Sequence, residues 1–424
     1  MIAALVPLFF GLLLFGLPIF ASLALAVTLA LGIWGNIDPM IVPMRMFSGM
    51  NNFSLMSIPY FILAAELMRI GGLSDRLIGL ARALIGWMPG GLAAAAVLAC
   101  LFFGSISGSS PATVIAIGTI MYPAMVAAGY DKYFSIGLIT TAGTLGPIVP
   151  PSIALIIYGS VTSTSVGTLF AAGLLPALMI GAILITYTTW FSLRKGYPRD
   201  PMPTIGSILT AFKRAAWGLG LPVILLGGIY SGVFTPTESA ATACLYAWIV
   251  GAVIYRSIGL KDSLTILKGT ALLSGPLLLI TAGASAFSWL LATTGTPSAI
   301  ASQVLSSTDS PILIMLLFNA LLLVAGCFLD SASAIIILAP LMQPIAAQVG
   351  VDPIHFGIIM LVNLSIGMLT PPVGLNLFVA MGVAKMTLFE VFRAALPMIM
   401  LMMLALLIVT YAPQVSLLIP KMLY

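Results

Sequence analysis

The residues best placed to do chemistry lie in two proline-broken stretches, Gly143-Thr-Leu-Gly-Pro-Ile-Val-Pro-Pro-Ser152 and Gly367-Met-Leu-Thr-Pro-Pro-Val-Gly-Leu-Asn376. Each sits inside a long apolar run that a Pro-Pro pair cannot continue as helix, because proline lacks the N–H and clashes with the preceding turn. The carbonyls of Gly146, Pro147, Gly367 and Met368 are therefore expected to lack partners within their own helices. Inside a membrane, free carbonyls are tolerated only where protein buries them or they line a polar cavity.

Two serine-bearing turns complete the constellation. The first, Gly104-Ser-Ile-Ser-Gly-Ser-Ser-Pro111, carries Ser105, Ser107, Ser109 and Ser110; the second, Gly326-Cys-Phe-Leu-Asp-Ser-Ala-Ser333, carries Asp330, Ser331 and Ser333. Carbonyl and hydroxyl oxygens are hard ligands for a small cation and add no formal charge that is costly to bury. Apposing each turn to one break gives two cation sites. Serines and glycines also serve close helix packing, but that reading does not explain why two turns pair with two breaks in register. Asp330 is the strongest single signal, since a carboxylate near the bilayer centre costs about 2.5–3.5 kcal/mol unless it finds a partner. A helix N-cap facing water is the alternative role for it.

The elements that must position these groups are membrane helices. The chain of 424 residues is 61% hydrophobic and 6% charged, with mean hydropathy +1.19, whereas soluble domains carry roughly a quarter charged residues. Apolar runs recur from end to end without the alternation of a β-barrel, so the spans are helical. The net charge of +5 reports orientation in the bilayer rather than nucleic-acid binding. No Gly-x-x-x-x-Gly-Lys-Ser/Thr motif is present, which argues against ATP use. Cys100, Cys244 and Cys327 lie apart in apolar segments and read as packing residues. Phe234-Thr-Pro-Thr-Glu238 has the logic of a helix start, with Thr235 and Glu238 closing a capping box. His355, the single histidine, reads as structural or as a pH-responsive hydrogen bond. Glu66 is expected near a helix end, where Arg69 can satisfy it.

Along the chain we expect a first helix over 4–34, a turn-rich connection with Asn36 and Asn52, a helix over 54–70 and an interfacial helix over 73–87. A hairpin over 90–128 follows, with arms of about 13 to 16 residues that fall short of a ~20-residue span. Next come a broken helix over 133–160, a long helix over 165–193, and helices at 217–230, 237–256 and 269–293. A second hairpin over 311–348, a second broken helix over 354–384 and a last helix over 394–412 complete the chain. The basic connection from Arg194 to Arg214 is expected in the cytoplasm. No arginine stands in an evident solute-facing position.

Adding 221 to a residue number maps Ser110 onto Ser331, Pro123 onto Pro344, Asp131 onto Asp352, Gly146 onto Gly367 and Pro150-Pro151 onto Pro371-Pro372 without a gap. Five crossings separate the hairpins, an odd number, so the second unit enters from the opposite face. The fold class is an all-α polytopic membrane protein built on an inverted-topology repeat, with two re-entrant hairpins and two broken helices. Solute and ions bind between the halves of such repeats. The expected parts are scaffold helices in 1–87, a first transport repeat in 88–160, connecting scaffold in 161–310, a second transport repeat in 311–384 and a C-terminal helix in 385–424.

Gly232-Val-Phe-Thr-Pro-Thr-Glu238, Pro147-x-x-Pro-Pro-Ser152 and Thr370-Pro-Pro-Val-Gly374 together resemble the large membrane subunit of tripartite ATP-independent periplasmic (TRAP) transporters, across essentially the whole chain. The resemblance implies an elevator-type secondary transporter of the bacterial inner membrane that imports an organic acid with Na⁺. It implies one Na⁺ site at Ser105, Ser107, Ser110, Gly146, Pro147, Val149 and Pro150. A second is implied at Gly326, Asp330, Ser331, Ser333, Gly367, Met368 and Thr370. Solute contacts are implied at Ser109, Ser110, Asp330, Ser331, Thr370 and Asn376. Its partners would be a small membrane subunit of about four helices, a soluble periplasmic binding protein and the lipid bilayer, with no nucleic acid. A self-sufficient carboxylate symporter is the rival within transport. An intramembrane enzyme lacks its Gly-x-Ser-x-Gly or His-Glu-x-x-His motif, and a passive scaffold predicts that Asp330→Ala leaves growth on the substrate unchanged.

Overall fold

The computed structural model describes residues 2–34, 38–295 and 310–423. Asn36 and residues 296–309 lie outside them. Among the described residues the regular structure is helical throughout, as a bilayer requires of backbone that must satisfy its own hydrogen bonds.

The N-terminal run is two helices rather than one, α1 (Ile2–Leu14) and α2 (Ile19–Trp34). Gly16, at φ +83°, and Pro18 end the first helix, a conformation that favours glycine and a residue that cannot continue the ladder. The expected turn-rich connection holds a further helix, α3 (Ile41–Met50), before α4 (Ser57–Ile70) and α5 (Leu73–Ile85). The first hairpin is α6 (Gly91–Ser107) and α7 (Ser110–Ala127). The first broken helix is α8 (Lys132–Ala142), the single turn α9 (Leu145–Ile148) and α10 (Ile153–Thr162).

Four long helices follow: α11 (Val166–Lys195), α12 (Ile205–Tyr230), α13 (Pro236–Ile249, continued by a π turn to Ile254) and α14 (Leu260–Thr293). Two of them begin earlier than expected, α12 at 205 instead of 217 and α14 at 260 instead of 269, so Lys213, Arg214, Lys261 and Lys268 lie within helices. The reason is geometric. At 34 residues and 1.5 Å per residue, α14 runs about 50 Å, well beyond a ~30 Å hydrocarbon core, so charged residues mark where the lipid ends and not where the helix ends.

The second hairpin is α15 (Pro311–Phe328) and α16 (Ser331–Gln348), followed by α17 (Pro353–Gly367) and α18 (Leu375–Ala384), which flank the second break. The chain closes with α19 (Leu388–Tyr411) and an additional short helix, α20 (Gln414–Leu423), where a single C-terminal helix was expected. The hairpin arms are 17 or 18 residues long, longer than predicted, and by length and composition three of the four could cross a membrane.

Hydrogen bonds show that the hairpins nevertheless turn back. Asp200 N donates to the Gly86 carbonyl, just before α6. Tyr130 Oη, just after α7, donates to the Pro198 carbonyl, and Asp131 N donates to Tyr197 Oη. Both ends of the first hairpin therefore meet the basic connection after α11. The second hairpin returns to the other face. Tyr411 Oη, at the end of α19, donates to the Ile312 carbonyl, while Tyr158 Oη, near the end of α10, donates to the Pro353 carbonyl. His355 joins that end too, with Nδ1 2.5 Å from Ser416 Oγ and Nε2 3.3 Å from the Thr410 carbonyl.

The topology is thus inverted between repeats, and five apolar helical segments, the broken one included, separate the hairpins among the described residues. Apart from Arg45, which lies over Trp289, and Lys421, the 16 Lys and Arg lie toward the face where the first hairpin opens, in connections or in the helix segments next to them. That face is called basic below.

Candidate functional site

The two tips differ in how they turn. Gly108 ends α6 in the left-handed region at φ +56°, and Ser109 is extended before α7. In the second tip Leu329 and Asp330 are both extended. Asp330 caps α16, accepting from Ala332 N at 3.0 Å and Ser333 N at 3.2 Å, and Ser333 Oγ donates to its other oxygen at 2.5 Å. The N-cap role considered from the sequence is therefore real, and it does not occupy the whole carboxylate.

Each tip lies against its own break at glycine-to-glycine distance. A Cβ on Gly104 would stand 2.9 Å from Gly146 Cα, and one on Gly326 would stand 2.9 Å from Gly367 Cα. Pro150–Pro151 and Pro371–Pro372 are both cis. At the first break, Gly146 and Pro147 have Pro150 and Pro151 as their fourth following residues, so no helical N–H is available to those carbonyls. The second break departs from the expectation of free carbonyls. Gly367 O accepts from Thr370 N at 2.9 Å and from Thr370 Oγ1 at 2.7 Å, and Met368 O accepts from Asn376 N at 3.1 Å. A hydroxyl placed three residues on and the resumed helix supply what the prolines cannot.

Around the first break, Ser110 Oγ donates to the Gly143 carbonyl at 3.1 Å, and Asn376 Nδ2, from α18 of the other repeat, donates to Ser110 Oγ at 2.5 Å. Asn376 Oδ1 is buried without a partner. Ser107 Oγ is 3.0 Å from Thr113 Oγ1, which donates to the Ser109 carbonyl at 2.8 Å. Ser105 Oγ donates back to the Phe102 carbonyl at 2.7 Å. At the second break, Ser331 Oγ donates to Met368 Sδ at 3.3 Å, and Cys327 Sγ is 2.8 Å from Thr370 Oγ1. Val149 ends α9, its N–H donating to the Leu145 carbonyl at 2.9 Å.

One cavity of about 400 Å³ brings the halves together. Ser107, Ser109, Ser110, Pro147, Asp330, Ser331, Ser333 and Met368 line it, so both tips and both breaks contribute. The remaining candidates, Ser105, Gly146, Val149, Pro150, Gly326, Gly367, Thr370 and Asn376, are not part of this lining. The rest of the lining comes largely from α4 and α14, through Ile62, Ala65, Glu66, Arg69, Leu273 and Pro276 among others.

Arg69, the arginine that sequence reasoning did not bring near the tips, lines this cavity. It is paired with Glu66 at 2.7 Å. Sequence reasoning also missed Asn319 and Asn363. Asn363 Nδ2 donates to Asn319 Oδ1 at 2.8 Å, and Asn319 Nδ2 donates to Thr410 Oγ1 at 3.0 Å. Two buried amides inside apolar helices α15 and α17 were the available signal. The predicted capping box is present, with Thr235 N donating to Glu238 and Glu238 N donating to Thr235 Oγ1.

The match to known proteins covers the same span as this architecture. Residues 6–415 fit the model of the DctM component of the tripartite ATP-independent periplasmic transporter. The chain is 42% identical to the C4-dicarboxylate TRAP transporter large permease protein DctM of Rhodobacter capsulatus, over 98% of each chain. It is 35% identical to the sialic acid TRAP transporter large permease protein SiaM of Vibrio cholerae, over 97% of this chain and 96% of that one. In fold it is similar to the crystal structure of the Alcanivorax borkumensis YdaH transporter, with a TM-score of 0.66 and 16% identity over 95% of this chain and 97% of that one. With its helical inverted repeat and near-complete sequence match, the chain belongs to the TRAP transporter large permease family, an inner-membrane family.

Proposed function

We propose that this permease imports a small organic acid together with Na⁺ by an elevator-type movement, the acid being a C4-dicarboxylate or a solute of similar size. The observation that carries the proposal is the single cavity shared by two hydroxyl-bearing tips, two broken helices and a wall from α4 and α14.

The charges of that cavity favour cation coupling. Glu66 and Asp330 against Arg69 leave its lining at a formal −1 among the described residues. A dianion entering a low-dielectric, net-negative cavity is strongly repelled unless cations accompany it. Two Na⁺ at the tip–break junctions would restore the original balance, the first held by neutral oxygens and the second by neutral oxygens with the Asp330 carboxylate. The first set would be Ser107, Ser110 and the Gly146–Pro150 backbone, with Ser105 behind; the second would be Asp330, Ser331, Ser333 and the Gly367–Thr370 backbone with Gly326. A dianion with two Na⁺ carries no net charge, so the Na⁺ concentration gradient would drive uptake; any further Na⁺ would add about 2.3 kcal/mol per 100 mV.

The moving body would be the two hairpins with the broken helices, and α4, α12, α13 and α14, which pack on one another, would be the stationary wall. The basic face would be cytoplasmic. Relatives named as C4-dicarboxylate permeases at 42–45% identity support the solute class. The relative named as an isethionate TRAP transporter permease protein DctMQ, of whose length this chain covers 65%, is consistent with a small membrane subunit as partner. A soluble periplasmic binding protein would deliver the acid.

Reconstitution in proteoliposomes with both partners tests the proposal. Labelled succinate should accumulate only with an inward Na⁺ gradient and with the binding protein present. Equal uptake of free succinate without the binding protein would favour a self-sufficient symporter, and equal uptake in K⁺ would remove sodium coupling.

A further inference from the structure

Arg69 and Glu66 form an ion pair of 2.7 Å on the last turns of α4, a helix otherwise apolar. A lone arginine at the end of a membrane helix often just extends its charge toward water, and the carbonyl end of the helix favours a cation there. Two observations set this one apart. Its side chain and that of Glu66 line the same cavity as both tips, and Arg69 is the one cationic residue in that lining among the described residues. The pair also lies on the basic side of the cavity. Gly71, just past α4, accepts from Arg76 and from Ser257, which follows α13, and Arg76 stacks over Tyr255.

We propose that Arg69 is the group that receives the solute carboxylate as it leaves the tips for the basic face, with Glu66 holding the guanidinium until the solute arrives and reclaiming it afterwards. This inference rests on the proposed transport of an organic anion. Guanidinium and carboxylate match as two-pronged partners, so a solute carboxylate can replace Glu66 without leaving Arg69 uncompensated. The exchange needs little movement. Arg69 Nη2 and Nε both already donate to Glu66, and the Arg69 side chain is 43% exposed against 19% for Glu66, so the guanidinium retains donors on its open side. Because α4 lies outside the proposed moving body, Arg69 would meet the solute in one position of that body only. A contact of that kind sets the direction and selectivity of release rather than binding the solute equally throughout.

The experiment compares Arg69→Gln, Arg69→Lys and the double variant Arg69→Gln/Glu66→Gln in the reconstituted three-part assembly, with succinate as probe. Losing a charge-assisted contact should lower uptake by about tenfold or more in Arg69→Gln, with Arg69→Lys clearly above it. The double variant removes both charges and so leaves no unpaired Glu66. It should assemble normally and still transport as poorly as Arg69→Gln. If the double variant recovers wild-type uptake, or Arg69→Lys does no better than Arg69→Gln, the pair is a brace and the proposal falls.

A second arm does not depend on which acid is carried. In membrane vesicles, Arg69→Cys should react with a membrane-impermeant, negatively charged thiol reagent applied from the cytoplasmic face, beyond the labelling of the unaltered chain. Labelling only from the opposite face would overturn the assignment even if succinate proved not to be the solute.

Discussion

Asn376 donates its side-chain amide to the hydroxyl of Ser110 at 2.5 Å, joining the helix after the second break to the tip of the first hairpin across 266 positions of sequence. This bond ties the two repeats at the cavity wall. Asn376 Oδ1 remains buried and unpartnered beside it, an arrangement that costs roughly 1–3 kcal/mol unless a cation or water satisfies the oxygen. Asn376→Ala removes the bond and the orphan oxygen together. We expect its thermal stability in detergent to change little and its Na⁺-driven uptake to fall by about tenfold or more. Uptake at the wild-type rate would make Asn376 a packing residue.

Asp330 separates charge from capping. Asparagine caps helices as well as aspartate does, while alanine costs about 1 kcal/mol. Asp330→Asn should therefore keep the stability of α16, which Asp330→Ala should lose. Both variants should raise the sodium concentration needed for half-maximal uptake. A sodium requirement that is unchanged in Asp330→Asn would reduce Asp330 to its cap.

The tip–break junctions predict a sharp steric contrast. A methyl at Gly146 would stand 2.7 Å from the Ser109 carbonyl oxygen and one at Gly367 would stand 2.5 Å from Gly326 Cα, whereas nothing lies within 4 Å of the corresponding point at Gly79. Gly146→Ala and Gly367→Ala should each lower stability by about 1–3 kcal/mol through overpacking. Gly79→Ala, in the exposed middle of α5, should be neutral or gain up to about 1 kcal/mol. Thermal unfolding in detergent would rank them, and a stable, active Gly367→Ala protein would mean that the second tip does not press on its break.

The loop after α11 offers a pH test. Arg82 grips Asp200 with two bonds, Nε at 2.5 Å and Nη2 at 2.8 Å. The hydrogen bond and charge of Arg82 hold the Asp200 carboxyl below the usual carboxylate range. A depressed carboxylate contributes stability above its unfolded pKa of about 3.9 and loses it as pH falls through the lower folded value. The Arg82 side chain is 55% exposed, so screening limits the gain to under about 1 kcal/mol. Asp200→Asn should therefore melt slightly below wild type by a constant margin from pH 8 to pH 5, the two converging only in stronger acid. A margin that vanishes between pH 8 and pH 6 would assign the effect to another group.

Much of this arrangement was legible in the sequence because the repeat is chemical as well as structural. Pro150-Pro151 and Pro371-Pro372, Asp131 and Asp352, Ser110 and Ser331 occupy equivalent positions in α7 to α10 and α16 to α18, and prolines, glycines and caps act locally. Arg69 was not legible. Its relation to the tips is set by how α4 and α14 pack against the hairpins, and nothing within its own helix announces that contact. The starts of α12 and α14 were misplaced for the opposite reason, since Lys213 and Lys268 signal the edge of the lipid while the helical ladder continues past it. The second break kept more of its carbonyl bonds than expected because Thr370 and Asn376 N reach them, a three-dimensional closure that the spacing of the prolines cannot reveal.

The most direct test of the central claim is a high-resolution structure of the full assembly determined in Na⁺ with succinate and again in K⁺ without it. The account predicts solute density between the Ser109–Ser110 and Asp330–Ser333 tips, with separate Na⁺-dependent density at each tip–break junction. Solute bound elsewhere, or junctions that look the same in both salts, would contradict it.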